Sequence, residues 1–95
     1  MAKVTYKSVI PNDKPQWLLN VEAAVERLAR MMTLQGNDRD WHNLQMFIDA
    51  EIGAQAVRGN IRRDTSVKTE LRTDEGKTVI HLFRNQMIIE TFYIE

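Results

Sequence analysis

The stretch Val67-Lys68-Thr69-Glu70-Leu71-Arg72-Thr73-Asp74-Glu75-Gly76-Lys77-Thr78-Val79-Ile80-His81-Leu82-Phe83-Arg84-Asn85-Gln86-Met87-Ile88-Ile89-Glu90-Thr91-Phe92-Tyr93-Ile94 decides the fold. From Thr65 onward the pattern alternates: Val67, Thr69, Leu71 and Thr73 fall on one side, Lys68, Glu70 and Arg72 on the other, as in a strand buried on one face. Asp74-Glu75-Gly76 is a hairpin turn, with glycine where a positive φ is needed. Thr78 to Arg84 is apolar on both faces (Val79 and Phe83 against Ile80 and Leu82), which suits a strand inside a sheet. Asn85-Gln86 turns the chain again, and Met87 to Ile94 makes a last strand.

Upstream, residues 3–10 alternate in the same way, with Val4, Tyr6 and Ser8 facing one side and Thr5, Lys7 and Val9 the other. Pro11-Asn12-Asp13-Lys14-Pro15 stops this strand, and Asn12, Asp13 and Pro15 supply cap and first-turn chemistry for a helix. Trp17, Val21, Ala24, Leu28 and Met31 recur at helical spacing, with Leu18, Val25 and Met32 beside them, and predict a helix to about Gln35. Glu26 and Arg30 form a favourably oriented pair on its other face, and Gly36 fits the left-handed position that ends such a helix. Asn37-Asp38-Arg39-Asp40 caps a second helix with acids where the dipole favours them. Leu44, Ile48 and Ile52 make one apolar stripe of that helix; Phe47, Ala50, Ala54, Val57 and Ile61 make another, and Gly59-Asn60 ends it. The small residues Ala50, Gly53, Ala54 and Ala56 would let a neighbouring element approach closely. The order is β-α-α-β-β-β. It predicts an α+β fold: a three- or four-stranded antiparallel sheet with two helices packed on one face, in a single domain over residues 1–95.

With 95 residues there is room for one core, and an apolar content of 43% against 27% charged residues fits a folded chain. Lys plus Arg number 13, as do Asp plus Glu, which excludes a wholesale polybasic nucleic-acid binder and an acidic mimic of DNA. The absence of Cys removes disulfides, thiolate zinc sites and thiol nucleophiles together. No apolar run follows the N-terminal lysines, no stretch approaches a membrane span and no Asn-x-Ser/Thr acceptor occurs, so the expected compartment is the cytoplasm.

Charge is uneven along the chain. Residues 58–72 carry five basic groups (Arg58, Arg62, Arg63, Lys68 and Arg72) against Asp64 and Glu70. These are the candidate contacts for a phosphate, a nucleic acid or an acidic protein, since guanidinium forks match planar anions. The arginines also read as simple complements to a helix C-terminus. No aromatic RNA-binding motif or helix-turn-helix signature accompanies them.

The histidines, His42 at the start of the second helix and His81 in a central strand, would make a metal site only if both converged with a carboxylate. Asp38-x-Asp40 fails as a calcium loop, because Asn43 takes the place of the required glycine and Asp49 that of the bidentate glutamate. Ser8 and Ser66 lack a nucleophile elbow, and no phosphate-cradling glycine loop is present. Asp38/Asp40 and Asp74/Glu75 sit at caps and turns, which explain them. Neither a cofactor nor a metal is expected.

Trp17 and Trp41 each open a helix and read as closing the ends of the core. Met31-Met32 and Met87 lie near element ends, where adaptable apolar surface can serve a partner. The last strand is largely apolar on both sides, Met87, Ile89, Thr91 and Tyr93 against Ile88, Glu90, Phe92 and Ile94. Helices can cover only one of them. Met87, Ile88, Ile89, Phe92, Tyr93 and Ile94 are therefore the candidate protein interface, and the strand itself is a candidate pairing edge. The run Glu75 to Asn85 is similar in style to hairpins of small phage-encoded accessory proteins, without a diagnostic motif. The expected function is a non-enzymatic protein-binding module, as a homodimer or as an adaptor or inhibitor that occludes a partner. The alternatives are a nucleic-acid-binding module using residues 58–72, and a small ligand-binding or enzymatic domain built on His42, His81 and carboxylates. No membrane partner is expected.

Overall fold

Successive hairpins in the last third of the chain, joined by the N-terminal strand, give one antiparallel sheet. The computed structural model describes residues 3–94. Its elements are β1 (Val4–Ser8), α1 (Gln16–Met31), α2 (Asp38–Val57), β2 (Val67–Asp74), β3 (Lys77–Arg84) and β4 (Met87–Ile94). The strand order in the sheet is β1-β4-β3-β2. This is the α+β architecture expected, with the fourth strand supplied by the N-terminus. β4 is consequently an interior strand, paired with β1 from Val4↔Ile94 to Ser8↔Glu90 and with β3 on its other side. That corrects the expectation that the last strand offers a pairing edge; the edges are β1 and β2.

Alternation along β4 is also broken. Leu82 pairs with Glu90 but Phe83 pairs with Ile88, so Ile89 is an extra residue in the ladder. A bulge of this kind turns successive side chains toward the same face, and Ile89 joins Phe92 in the core, 4% and 0% exposed. Both hairpin turns run through left-handed backbone: Glu75 and Gly76 at φ 51° and 78°, Asn85 and Gln86 at φ 51° and 71°. Such paired positive φ values match the twist of the flanking strands. Glycine and asparagine take them readily, glutamine does not.

The core lies between the helices and the inner face of the sheet, and comprises Trp17, Leu18, Val21 and Val25 of α1, Trp41, Leu44, Ile48 and Ile52 of α2, Ile80 and Leu82 of β3, and Ile89 and Phe92 of β4, with Ile61 from the connection. Trp17 and Trp41 are buried there, as their positions suggested. α1 ends at Met31, short of Gln35, and Met31 itself is exposed. Leu34 is buried just after the helix instead. The cause is the cap of α2: Asn37 Oδ1 accepts from the Asp40 N–H at 2.9 Å, while Asp40 Oδ2 accepts from the N–H groups of Gln35 and Gly36 at 2.5 and 3.0 Å. Residues 35–37 are thus committed to starting α2, and Gly36, at φ 81°, serves that turn and not the end of α1.

Three further expectations are revised. The N-cap of α1 is Pro15 with no side-chain cap, so Asn12 and Asp13 do not serve there. Glu26 accepts from Tyr6 Oη at 2.7 Å, a cross-element bond in place of the expected pair with Arg30. On α2, Ala50, Gly53 and Ala56 face solvent, and nothing lies within 4 Å of a Cβ placed on Gly53, so the small residues admit no neighbour. Gly59, at φ 79°, donates to Ala56 O and Asn60 N–H to Gln55 O, closing α2 with the reciprocal bonds of a Schellman motif.

The strained turn gives a test. Gln86→Gly should raise stability by about 1 kcal/mol, because a side chain in left-handed backbone costs about 1–2 kcal/mol and glycine escapes most of it. Thermal or urea unfolding measures this, and a loss of stability would show that Gln86 contributes contacts outweighing its backbone strain.

Candidate functional site

The basic segment does not form one track. Arg58 is the C-cap residue of α2, while Arg62 and Arg63 lie in the exposed connection beyond it, with Arg62 bridged to Asp64 at 3.3 Å. Lys68 and Arg72 instead stand on β2, on the face of the sheet opposite the helices. Strand register places Lys68 beside Phe83, Glu70 beside His81 and Arg72 beside Val79. Across β3, His81 meets Thr91 and Phe83 meets Ile88; β1 adds Thr5 beside Tyr93 and Lys7 beside Thr91.

On this outer face Glu70 acts as a clamp. It binds Lys68 at 3.4 Å and Arg72 Nε at 2.9 Å, and both cations lie over the Phe83 ring, each 5.6 Å from its centroid. The Arg72 hydrogen bond, aided by Lys68, holds the Glu70 carboxyl below the usual carboxylate range. His81 meets Phe83 edge-on at 6.2 Å, and its Nδ1 is 2.9 Å from Thr91 Oγ1. The face is therefore apolar and aromatic at its centre, with ordered cations above it. It suits contact with a surface that supplies apolar groups and carboxylates.

The six candidate interface residues divide accordingly. Ile88 and Tyr93 belong to the outer face and are half-buried; Met87 is exposed beside the turn. Ile89 and Phe92 are core residues and Ile94 packs against the core, so these three are not surface. Burial under the helices, set by register and by the bulge at Ile89, is the reason.

Beneath the sheet lies a polar group that the apolar pattern conceals. Glu22 of α1 and Glu90 of β4 are 4% and 0% exposed. Ser8 Oγ lies 3.5 Å from Glu22 Oε2 and is hydrogen-bonded to Glu90 Oε1, and Lys14 Nζ binds Glu22 at 2.7 Å. Lys14 also lies over the Tyr6 ring, whose hydroxyl is raised well above its ordinary range by its bond to Glu26 and by burial. Burial pushes the Glu90 carboxyl up to about 8, with the hydrogen bond and charge of Glu22 adding to it while Ser8 and Lys14 oppose it. Glu90 Oε2 has no other partner. A proton held there and donated to Glu22 satisfies the orphaned oxygen, so a single lysine suffices for two buried carboxyls. One signal in the sequence could have found this: a glutamate in an apolar strand, on the same side as Phe92.

His42 is exposed on α2 and His81 sits on the outer face; among the described residues no three His, Asp or Glu side chains gather as a metal would need. Clefts of about 190, 240 and 270 Å³ line the α2 N-terminus, the sheet end by Tyr93 and the α1–α2 seam. Each is smaller than the roughly 300–1,000 Å³ usual for a small-molecule site. No helix of the described residues is long and apolar enough to cross a membrane.

The carboxyl pair makes stability depend on pH. The unfolded chain ionises Glu90 near 4.5, whereas the folded chain keeps the proton to about 8. Folding is therefore most favourable at the acid end of that interval and weakens as pH climbs through it, by an amount on the order of a few kcal/mol. Glu90→Gln, which keeps a donor toward Glu22, should flatten this decline and leave the variant the more stable protein at pH 8. Urea unfolding from pH 5 to 8 reads both slopes; equal slopes would mean that Glu90 is ionised in the fold.

The chain matches no protein-family model, and neither the curated proteins nor the solved structures give a match to it.

Proposed function

We propose that this chain is a non-enzymatic binding module that docks the outer face of its sheet on a protein partner, acting as an adaptor or as an inhibitor that occludes the partner's surface. The observation that carries this is the outer face itself: half-buried Ile88 and Tyr93 lie on the side away from both helices, framed by Lys7, Lys68 and Arg72, with Phe83 beneath the last two as support. An apolar and aromatic centre within a charged rim is the anatomy of a protein interface, and Tyr and Arg are the residues most enriched at its hot spots. The nucleic-acid reading is less well supported. Lys68 and Arg72 share Glu70, Phe83 is only 9% exposed and so has little free ring to stack on, and the three arginines lie on a different part of the molecule.

The test is capture of partners from lysate treated with nuclease, with identification by mass spectrometry. The wild-type protein should retain a defined protein partner that Ile88→Glu and Tyr93→Ala lose, while Val57→Glu, at an 89% exposed position on α2, retains it. Thermal unfolding checks that each variant is folded. Capture abolished by nuclease, with a binding constant that falls by a slope of about −0.9 per phosphate on a log–log salt plot, would favour the nucleic-acid reading. Loss of the partner on Arg62→Ala/Arg63→Ala alone would move the interface to the connection after α2.

A further inference from the structure

We infer that a second copy of this chain pairs antiparallel with the free edge of β2, about a twofold axis through Leu71, so that the two sheets become one. The inference concerns a different surface from the outer face and stands on two observations.

The first is which backbone groups are free. Ser66 O accepts from the Asn85 N–H at 2.8 Å and the Ser66 N–H donates to Asn85 Oδ1 at 2.9 Å, so Ser66 directs its backbone at the β3 side. In an antiparallel pair the direction alternates residue by residue. Lys68, Glu70 and Arg72 therefore bond β3, and Thr69, Leu71 and Thr73 point their N–H and C=O groups away from the sheet. The Thr69 carbonyl agrees with this: it accepts from Gln45 Nε2 of α2 at a long 3.4 Å, a bond that pairing exchanges for one from the second copy's Thr73 N–H. β2 is eight residues long, whereas the opposite edge strand, β1, has five and carries Lys7.

The second is charge. Along the outer side of β2 stand Lys68, Glu70 and Arg72, of alternating sign. Antiparallel pairing about Leu71 sets Glu70 opposite Arg72 of the second copy and Arg72 opposite its Glu70. Leu71 then meets Leu71, and Thr69 meets Thr73, on the inner side. Centring the pair on Glu70 would oppose Glu70 to Glu70 and Lys68 to Arg72, and centring it on Arg72 would oppose Arg72 to Arg72. The Leu71 register is attractive and the two adjoining it are repulsive. One step further, centring on Thr69 would again oppose unlike charges, Lys68 to Glu70, but it would part the two Leu71 side chains and leave Arg72 without an acidic partner. In the Leu71 register that residue forms a hydrogen-bonded pair, so the Glu70–Arg72 contacts fall at the closer, non-hydrogen-bonded positions, where cross-strand charges act most strongly.

Sedimentation equilibrium over a range of concentrations, on wild type, Glu70→Arg and Arg72→Glu, tests this. Wild type should dimerise. Each single variant places like charges at both symmetry-related contacts and should weaken dimerisation about tenfold or more. An equimolar mixture of the two variants should recover it as a heterodimer, because Arg at 70 then faces Glu at 72 and the native Arg72 faces the native Glu70. Hydrogen exchange on the wild type needs no variant: the Leu71 and Thr73 amides should slow as concentration rises. A wild type that stays monomeric, variants that dimerise like wild type, a mixture no better than its components, or Leu71 and Thr73 amides indifferent to concentration would each overturn the inference.

Discussion

Phe92 stands on the inner face of β4 with Tyr6 in register on one side and Ile80 on the other, and none of its surface reaches solvent. The Tyr6 ring meets it edge-on at 6.1 Å. An aromatic this deeply buried in a four-stranded sheet needs a strand on each flank and helices above it. β3 arrives by a hairpin, but the other flank can be filled only by bringing β1 back from the far end of the chain. That return carries Tyr6 and Ser8 over the sheet beside α1, and so sets them against Glu26, Glu22 and Glu90. The buried carboxyl pair is a consequence of seating Phe92.

Where a short-range pattern was sufficient, the fold was legible. Alternation located β1 and β2, apolar runs between turn residues located β3 and β4, and Asn37 with Asp40 marked the start of α2, because the cap bond joins residues three apart. The number of strands and the burial of Phe92 depend on β1 meeting β4, a pairing between the two ends of the chain that no local pattern encodes. The bulge at Ile89 was hidden for a related reason: the strand is apolar at both parities there, so nothing in the sequence marks the residue at which facing shifts. The end of α1 was misread because Leu34 is as apolar as a helix continuation would be, while the competing demand came from the cap of the next helix. Of the candidate site, Lys68 and Arg72 were legible as cations. Their separation from Arg58, Arg62 and Arg63 follows from the chain crossing from the end of α2 to the far side of the sheet, which composition does not reveal.

Two glutamates on opposite sides of the sheet show how place sets charge. Glu90 is shut under the helices beside Glu22 and retains its proton because ionising it would put a second negative charge in an apolar interior with one lysine nearby. Glu70 is partly open to water and gripped by Arg72 and Lys68, which keeps it ionised. The inner layer thus carries less charge at neutral pH than its composition suggests, and the outer face keeps its ions ordered. Ordering side chains before contact lowers the entropy lost on binding; under the proposed function the Glu70 clamp would serve that end, and it keeps Lys68 and Arg72 over Phe83.

Charged residues on an edge strand ordinarily discourage pairing with other chains. A strand bearing a single sign would refuse every register. The alternating signs on β2 refuse every second register, and the Leu71–Leu71 contact favours one of those left, so the side chains that protect the edge from indiscriminate association also narrow how two copies would align. A twofold axis perpendicular to the sheet keeps both helical layers on the same side. The outer faces of the two copies then run together without interruption, with Glu70 and Arg72 at the seam and Phe83 and Tyr93 repeated on either side. Under the two proposals together, a docking face small in one copy would become continuous in two, so that edge and face would meet the same partner.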